Sequence, residues 1–286
     1  MTMGLLLAAL TGLCWASYGI ALSFTARGGR NVVAFGLVQN LLCATVMLVC
    51  FGRPTALCAP DAFPLFAFVF CAGFLNAIGQ GTVNWAMTRG HNGIVWALSQ
   101  SSMVLPFLVA TICFAQPGVP RQWGGVALIM AAILLPVLRD ARCGGAWRGA
   151  ALLAFLAFGT VQSLYMLPSQ LGLDDGAHFR PVWAALGNTA GWLAVGVCSR
   201  RFAFPDRAML RLGAGMAVFS VVSLTLFFAA ADRLQQVGVG NIAVPLMTGT
   251  NIFAFALFSL LRLREQATWR EWATVLLLLG GLAALA

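Results

Sequence analysis

Residues 64–88 read PLFAFVFCAGFLNAIGQGTVNWAMT, with no charged side chain from Pro64 to Thr88 and Arg89 closing the run. A helix needs about 20 consecutive apolar residues to cross the hydrocarbon core of a bilayer, so this stretch reads as a transmembrane helix. Gly73, Asn76, Gln80 and Asn84 recur in it at spacings of three and four, which puts three amides on one helical face. An amide among lipid tails costs free energy unless it finds a partner or faces water. Such a span belongs in a bundle, with its polar face turned toward other helices or a cavity.

The rest of the chain repeats this pattern. Ten apolar stretches, at about 3–24, 32–51, 64–88, 92–114, 121–138, 147–169, 180–199, 209–231, 239–261 and 269–286, are separated by short charged or turn-rich gaps. Of the 286 residues, 60% are hydrophobic and 9% charged, against about 25% charged in soluble domains. So few charges cannot cover a water-facing surface, and lipid must take its place. The fold class is therefore all-α, a polytopic membrane protein of ten transmembrane helices. Trp123, Trp147, Trp269 and Trp272 stand at span ends, where interfacial aromatics gather. The first span starts beside Met1 with neither a basic region nor a cleavage site, so it reads as a retained helix and not a signal peptide.

The net charge of +9 rests on arginine alone among the basic residues. The arginines lie in loops, so they supply no basic face for nucleic acid. Alternate loops lie on opposite faces of the membrane. Arg53, Arg121, Arg180 and Arg233 share the face of the termini, and the other thirteen fall on the opposite face. By the positive-inside rule that second face is cytoplasmic and both termini are outside. Eight cysteines without a CxxC pair, and two histidines placed in loops, offer neither a metal site nor a disulfide framework, and no cofactor is expected. The expected partners are the bilayer and a small-molecule substrate, with the chain a monomer or homodimer.

Sliding the chain on itself by 147 to 149 positions aligns its halves. Gly12 falls on Gly159, Tyr18 on Tyr165, Asn40 on Asn188, Cys50 on Cys198, Asn92 on Asn241, Arg121 on Arg270 and Trp123 on Trp272. The near-constant offset, held in chain order, divides the sequence into a five-helix repeat at 1–138, a basic linker at 139–146 and a second repeat at 147–286. An odd number of spans forces the repeats to insert with opposite topology, the arrangement of secondary transporters whose substrate site lies near the midplane.

The polar and aromatic side chains within the spans are the candidate substrate site. Helix 3 supplies Asn76, Gln80 and Asn84, and helix 4 supplies Trp96, Ser99 and Gln100. The second half supplies Gln162, Tyr165, Asn188 and Thr248, and Tyr18 and Asn40 complete the set. Interhelical hydrogen bonding or plain packing explains any one of them; their register and symmetry favour a water-lined cavity. Asn92 and Asn241 stand where helices start, which also suits N-caps. Pro168 and Pro245 each remove a helical hydrogen bond and are candidate bending points. No Asp or Glu lies in the middle of a span, and Asp232 and Glu265 come nearest, at helix ends. A carboxylate proton relay is therefore hard to build, and the missing HExxH and nucleophile-elbow motifs exclude the usual intramembrane hydrolases.

The segments ending each half, "ALSQSSMVLPFLVATICFAQPGVPRQWGGVALIMAAILL" and "AVPLMTGTNIFAFALFSLLRLREQATWREWATVLLLLGGL", resemble the drug/metabolite transporter superfamily of ten-helix carriers with two EamA-type repeats. Glu265, Thr268, Trp269 and Trp272 match that family's "T..W..W" entry to helix 10, and Gln116 replaces the glutamate in the first half. The strings "LCWASYGIALSF", "NAIGQGTVNWAMTRG" and "LGLDD" are similar to the branch of bacterial L-rhamnose and glucose/ribose uptake carriers. The resemblance implies a multi-pass transporter of the bacterial inner membrane, not an enzyme, moving a small neutral solute such as a sugar. An exporter of amino acids or other metabolites is the alternative on the same fold. A non-transporting scaffold would not need polar residues paired about a symmetry axis.

Overall fold

The computed structural model describes residues 1–52, 60–114, 119–139, 146–173, 177–200, 202, 204–238, 240–263 and 269–285. Most of the basic linker, together with Gln116, Glu265 and Thr268, lies outside the described residues.

Each expected span is a helix: α1 (Thr2–Arg27), α2 (Val32–Phe51), α3 (Ala62–Met87), α4 (Asn92–Cys113), α5 (Pro120–Arg139), α6 (Ala146–Gln170), α7 (Arg180–Ser199), α8 (Arg207–Gln236), α9 (Ala243–Leu261) and α10 (Trp269–Leu285). Among the described residues, eight of these, α1 to α4 and α6 to α9, are long and apolar enough to cross a membrane. Their outward faces carry large apolar side chains, such as Val49 (81% exposed), Phe63 (76%) and Ile112 (72%), which only lipid can cover.

Helix ends follow local chemistry. The Asn31 carbonyl caps α2 by accepting from the N–H groups of Val33 and Ala34 at 3.0 and 3.2 Å, and Asp206 caps α8 through Met209 N–H at 2.7 Å. Asn92 is the first residue of α4, with His91 at the cap position, so it is not the N-cap. α8 runs past its expected end at 231 to Gln236, carrying Asp232, which pairs with Arg180.

The main helix interruption is in α4. Segments Asn92–Gln100 and Val104–Cys113 are joined by a 3-10 turn over Ser101–Met103. Pro106 has no N–H for the Ser102 carbonyl and its ring crowds that oxygen, which forces the tighter turn. Pro245, expected to break the ninth helix, instead sits in the first turn of α9, where its N–H would have had no partner. Pro168 does lie inside α6.

The principal helix contacts are α3 with α6 and α7, α8 with α1 and α2, α1 with α9, α6 with α4, and the pairs α2–α7, α4–α9 and α5–α10. Shifting every helix number by five, cyclically, returns the same set. α3–α7 becomes α8–α2, α3–α6 becomes α8–α1, α1–α9 becomes α6–α4, and the last three pairs map onto themselves. That self-mapping is the packing of two inverted five-helix repeats. At α3–α7 the backbones touch: a Cβ on Gly187 or Gly191 would run into the carbonyls of Phe70 or Phe74, and one on Gly73 into that of Ala184. The small-residue spacing of Gly187–Gly191 is what permits this approach.

Candidate functional site

Where the halves meet, a cavity of about 110 Å³ is lined by α1, α2, α3, α4, α6, α7 and α8. Its lining residues, among them Tyr18, Asn40, Gln80, Phe158, Asn188 and Ser220, lie near the middle of their helices. The cavity therefore lies inside the bundle, away from the helix ends. A single water needs about 10–15 Å³ of such space, so there is room for several waters or a small solute.

Nine of the twelve residues expected at the site line this cavity: Tyr18, Asn40, Asn76, Gln80, Trp96, Gln100, Gln162, Tyr165 and Asn188. The other three stand behind it. Asn84 donates to the Leu22 carbonyl at 3.1 Å and to Thr25 Oγ1 at 2.7 Å, so it ties α3 to α1 one turn beyond the cavity. Ser99 donates back to the carbonyl of Trp96 at 2.9 Å. Thr248 is buried with an unpartnered hydroxyl on α9, which packs behind α1 and α4.

One wall is pre-bonded. Gln80 Oε1 accepts from the Tyr18 hydroxyl at 2.7 Å and from Trp192 Nε1 at 3.2 Å. Two donors on one oxygen fix the amide and leave its NH2 as the group offered to a solute. Asn76 Nδ2 donates to Asn188 Oδ1 at 3.1 Å. Trp96 Nε1 donates to Asn251 Oδ1 at 2.9 Å, and Asn251 Nδ2 donates to Gln100 Oε1 at 3.1 Å. Gln100 thus also presents its NH2.

The facing wall is aromatic and less satisfied. Trp15 and Tyr165 each pack on Phe227 with ring centroids 5.7 Å apart. Gln162 Oε1 and Gln39 Oε1 are buried without a partner, although Gln39 Nε2 donates to Ser220 Oγ. The Tyr165 hydroxyl is likewise buried without a partner. Each such group costs about 1–3 kcal/mol when buried unpaired, free energy that a ligand bonding it would recover. Among the described residues, no Asp, Glu, Arg or His lines the cavity. Among the described residues, no group of three or more His, Cys, Asp or Glu is placed to hold a metal ion.

Residues 2–138, which take in α1 to α4 and nearly all of α5, match the family model described as the EamA-like transporter family. The match spans 137 of the 286 residues, a little under half, so the likeness to that family is one of the first half of the chain. Members of that family are membrane transporters of the drug/metabolite transporter superfamily. Sixteen solved chains match its structure. One, described only as the crystal structure of a protein, aligns with a TM-score of 0.65 over 99% of this chain and 96% of its own, at 14% identity. That likeness speaks for the fold alone. No curated protein matches the sequence.

The two halves of the chain make equivalent contacts, some with the same chemistry and some with different chemistry. Asn40 donates to the Gly36 carbonyl at 2.9 Å, and 148 positions on Asn188 donates to the Ala184 carbonyl at 3.2 Å. Tyr18 bonds Gln80, while its mate Tyr165 packs edge-on against Phe228 at 5.7 Å. Asn84 holds Leu22 and Thr25, while Asp232 accepts from Ser169 Oγ at 3.0 Å and pairs with Arg180.

Several residues of the site were not singled out from sequence. Trp192 lies one turn from Asn188 on the same face of α7, Asn251 lies one turn from Thr248, and Gln39 adjoins Asn40. Extending each candidate by one turn would have found the first two.

Proposed function

We propose that this chain is a transporter that moves a small, neutral, polar solute of the monosaccharide kind by alternating access. The observation that carries the reading is a cavity inside the helix bundle walled by amides and aromatic rings, with no charged side chain among the described residues that line it. A charged solute left unpaired there would pay several kcal/mol. A sugar suits the lining: amides donate to and accept from hydroxyls, and aromatic faces cover the apolar side of a ring. Tyr18, Asn76, Gln80, Gln100, Gln162, Tyr165 and Asn188 are the proposed contacts, with Asn40 and Trp96 completing the wall. Asn84, Ser99 and Thr248 support them from behind.

In this reading, 1–138 and 147–286 are the two rocking halves. The chain sits in a bacterial inner membrane with both termini outside, as the arginine asymmetry implies. A reporter active only in the cytoplasm, fused after Ala286, should stay dark, and a bright fusion would reverse the orientation. For the substrate, the detergent-purified protein is melted against sugars, amino acids, nucleosides and organic acids. A ligand that binds the folded state raises the melting temperature. Stabilisation by neutral polyols or sugars is expected, whereas stabilisation by organic anions alone would defeat the proposal.

A further inference from the structure

Two tryptophans decide which way the cavity's amides face. A side-chain amide can be turned end for end, and its sense is fixed only by a neighbour that solely donates or solely accepts. An indole N–H solely donates. Trp192 Nε1 donates to Gln80 at 3.2 Å, so the atom it meets is Oε1 and the Gln80 NH2 is left for the cavity that Gln80 lines. Trp96 Nε1 donates to Asn251 at 2.9 Å, so Asn251 turns its oxygen to Trp96 and its NH2 to Gln100, 3.1 Å away. Gln100 accepts there, and its own NH2 is likewise left over.

Backbone carbonyls, which solely accept, fix the opposite sense elsewhere. Asn40 gives its NH2 to the Gly36 carbonyl at 2.9 Å, and Asn188 gives its NH2 to the Ala184 carbonyl at 3.2 Å. Asn188 Oδ1 therefore accepts from Asn76 Nδ2 at 3.1 Å, and Asn40 and Asn76 keep their oxygens for the cavity. The tryptophans that fix the donating side are themselves held. Trp192 is 0% exposed and Trp96 2%, and each ring is seated on a glycine: a Cβ on Gly36 would run into the Trp192 indole and one on Gly19 into that of Trp96.

We propose that Trp192 and Trp96 set the hydrogen-bond polarity of the site. At Gln80 and Gln100 it donates and takes an acceptor oxygen; at Asn40 and Asn76 it accepts and takes a hydroxyl proton. The inference rests on the cavity being the solute site proposed above, and it narrows the solute to a polyhydroxy compound bound in one orientation. Trp192 is then a positioning residue that acts through Gln80. Phenylalanine at 192 keeps a ring on Gly36 but has no N–H. Gln80 is then free to turn over and donate to the Tyr18 oxygen, which accepts as well as donates, and its carbonyl faces the solute.

The test compares a neutral monosaccharide with its monodeoxy and monodeoxyfluoro analogues, one ring position at a time, by thermal-shift titration of the detergent-purified full chain. Carbon-bound fluorine accepts weakly and never donates, whereas hydrogen does neither. In the wild type, at least one fluoro analogue should bind about fivefold tighter than the deoxy analogue of the same position, the effect of one modest hydrogen bond. In Trp192→Phe that ratio should fall below about twofold, whatever the variant's own melting temperature. A wild type that nowhere prefers fluorine to hydrogen would overturn the proposal, and so would an unchanged ratio in Trp192→Phe. Should that variant fail to fold, the wild-type preference decides alone. Should no sugar stabilise the chain, the solute reading fails and the polarity is read directly by nuclear magnetic resonance on protein carrying isotope-labelled glutamine. The Gln80 side-chain amide, identified by its loss in Gln80→Met, should exchange with water freely in the wild type and be protected in Trp192→Phe; equal exchange in the two would overturn the proposal.

Discussion

α3 and α8 occupy equivalent places in the two halves, each packed against a tyrosine-bearing helix and against α7 or α2, yet their inner faces differ. At steps of four, α3 presents Asn76, Gln80 and Asn84, and 148 positions later α8 presents Leu224, Phe228 and Asp232. Like packing in the two halves therefore goes with unlike chemistry on their inner faces. α3 gives a wall whose amides are already oriented by Tyr18, Trp192 and Asn188. α8 gives an apolar platform beside buried groups that still lack partners. Beyond the cavity, the two ends of the bundle are also tied differently. A neutral tie of Asn84 to Leu22 and Thr25 lies toward the basic face, and the Arg180, Asp232 and Ser169 cluster lies toward the face of the termini.

The strongest way to break this comparison is to treat the mates alike. Gln80→Leu strands the Tyr18 hydroxyl and the Trp192 N–H, at about 1–3 kcal/mol each. Initial uptake into proteoliposomes, normalised to inserted protein, should then fall at least about tenfold, because 1.4 kcal/mol is a factor of ten. Phe228→Leu should cost less than about threefold, since it trims packing and leaves no polar group unpaired. Equal losses would mean the walls are not chemically distinct.

The end ties offer the next test, read as melting temperature. Asp232→Asn leaves the buried Arg180 without its countercharge. Breaking a buried pair costs about 3–5 kcal/mol, and the exposure of Asp232, 35%, lowers the expectation to about 2 kcal/mol. Asn84→Ala loses two neutral hydrogen bonds made by one amide, at roughly 0.5–1 kcal/mol each. A larger loss for Asn84→Ala than for Asp232→Asn would invert the assignment.

The fold was almost wholly legible because a bilayer admits few solutions and charge-free runs mark them directly. What pattern could not give was the break at Ser101–Met103, since Pro106 acts on a carbonyl four residues earlier, or the harmless placement of Pro245. The site was partly legible. The helix 3 amides share a face, but a face is a full helix long and the cavity is not, so Asn76 and Gln80 line it while Asn84, a turn further, reaches α1. Trp192 escaped because an apolar-looking residue without a symmetry mate gives no signal until Gln80 is seen beside it.

The tyrosines sharpen the comparison on a finer scale. Tyr18→Phe removes a made bond and should lower stability by about 1 kcal/mol, whereas Tyr165→Phe removes an unpartnered hydroxyl and should leave stability unchanged while weakening substrate affinity about fivefold. Unfolding and ligand titration on the same preparations separate the two effects. Smallest of all, Ser99→Ala and Thr248→Val should leave uptake within about twofold of wild type, since neither hydroxyl reaches the cavity and only groups that meet the solute change its binding.

The most direct measurement is counterflow of a radiolabelled neutral sugar in proteoliposomes, wild type beside Gln80→Leu, with uncharged, zwitterionic, anionic and cationic competitors. The account predicts exchange that neutral polar competitors suppress, that anions and cations do not, and that Gln80→Leu nearly abolishes. Exchange of a charged solute that proceeds at the wild-type rate in the Gln80→Leu protein would contradict it.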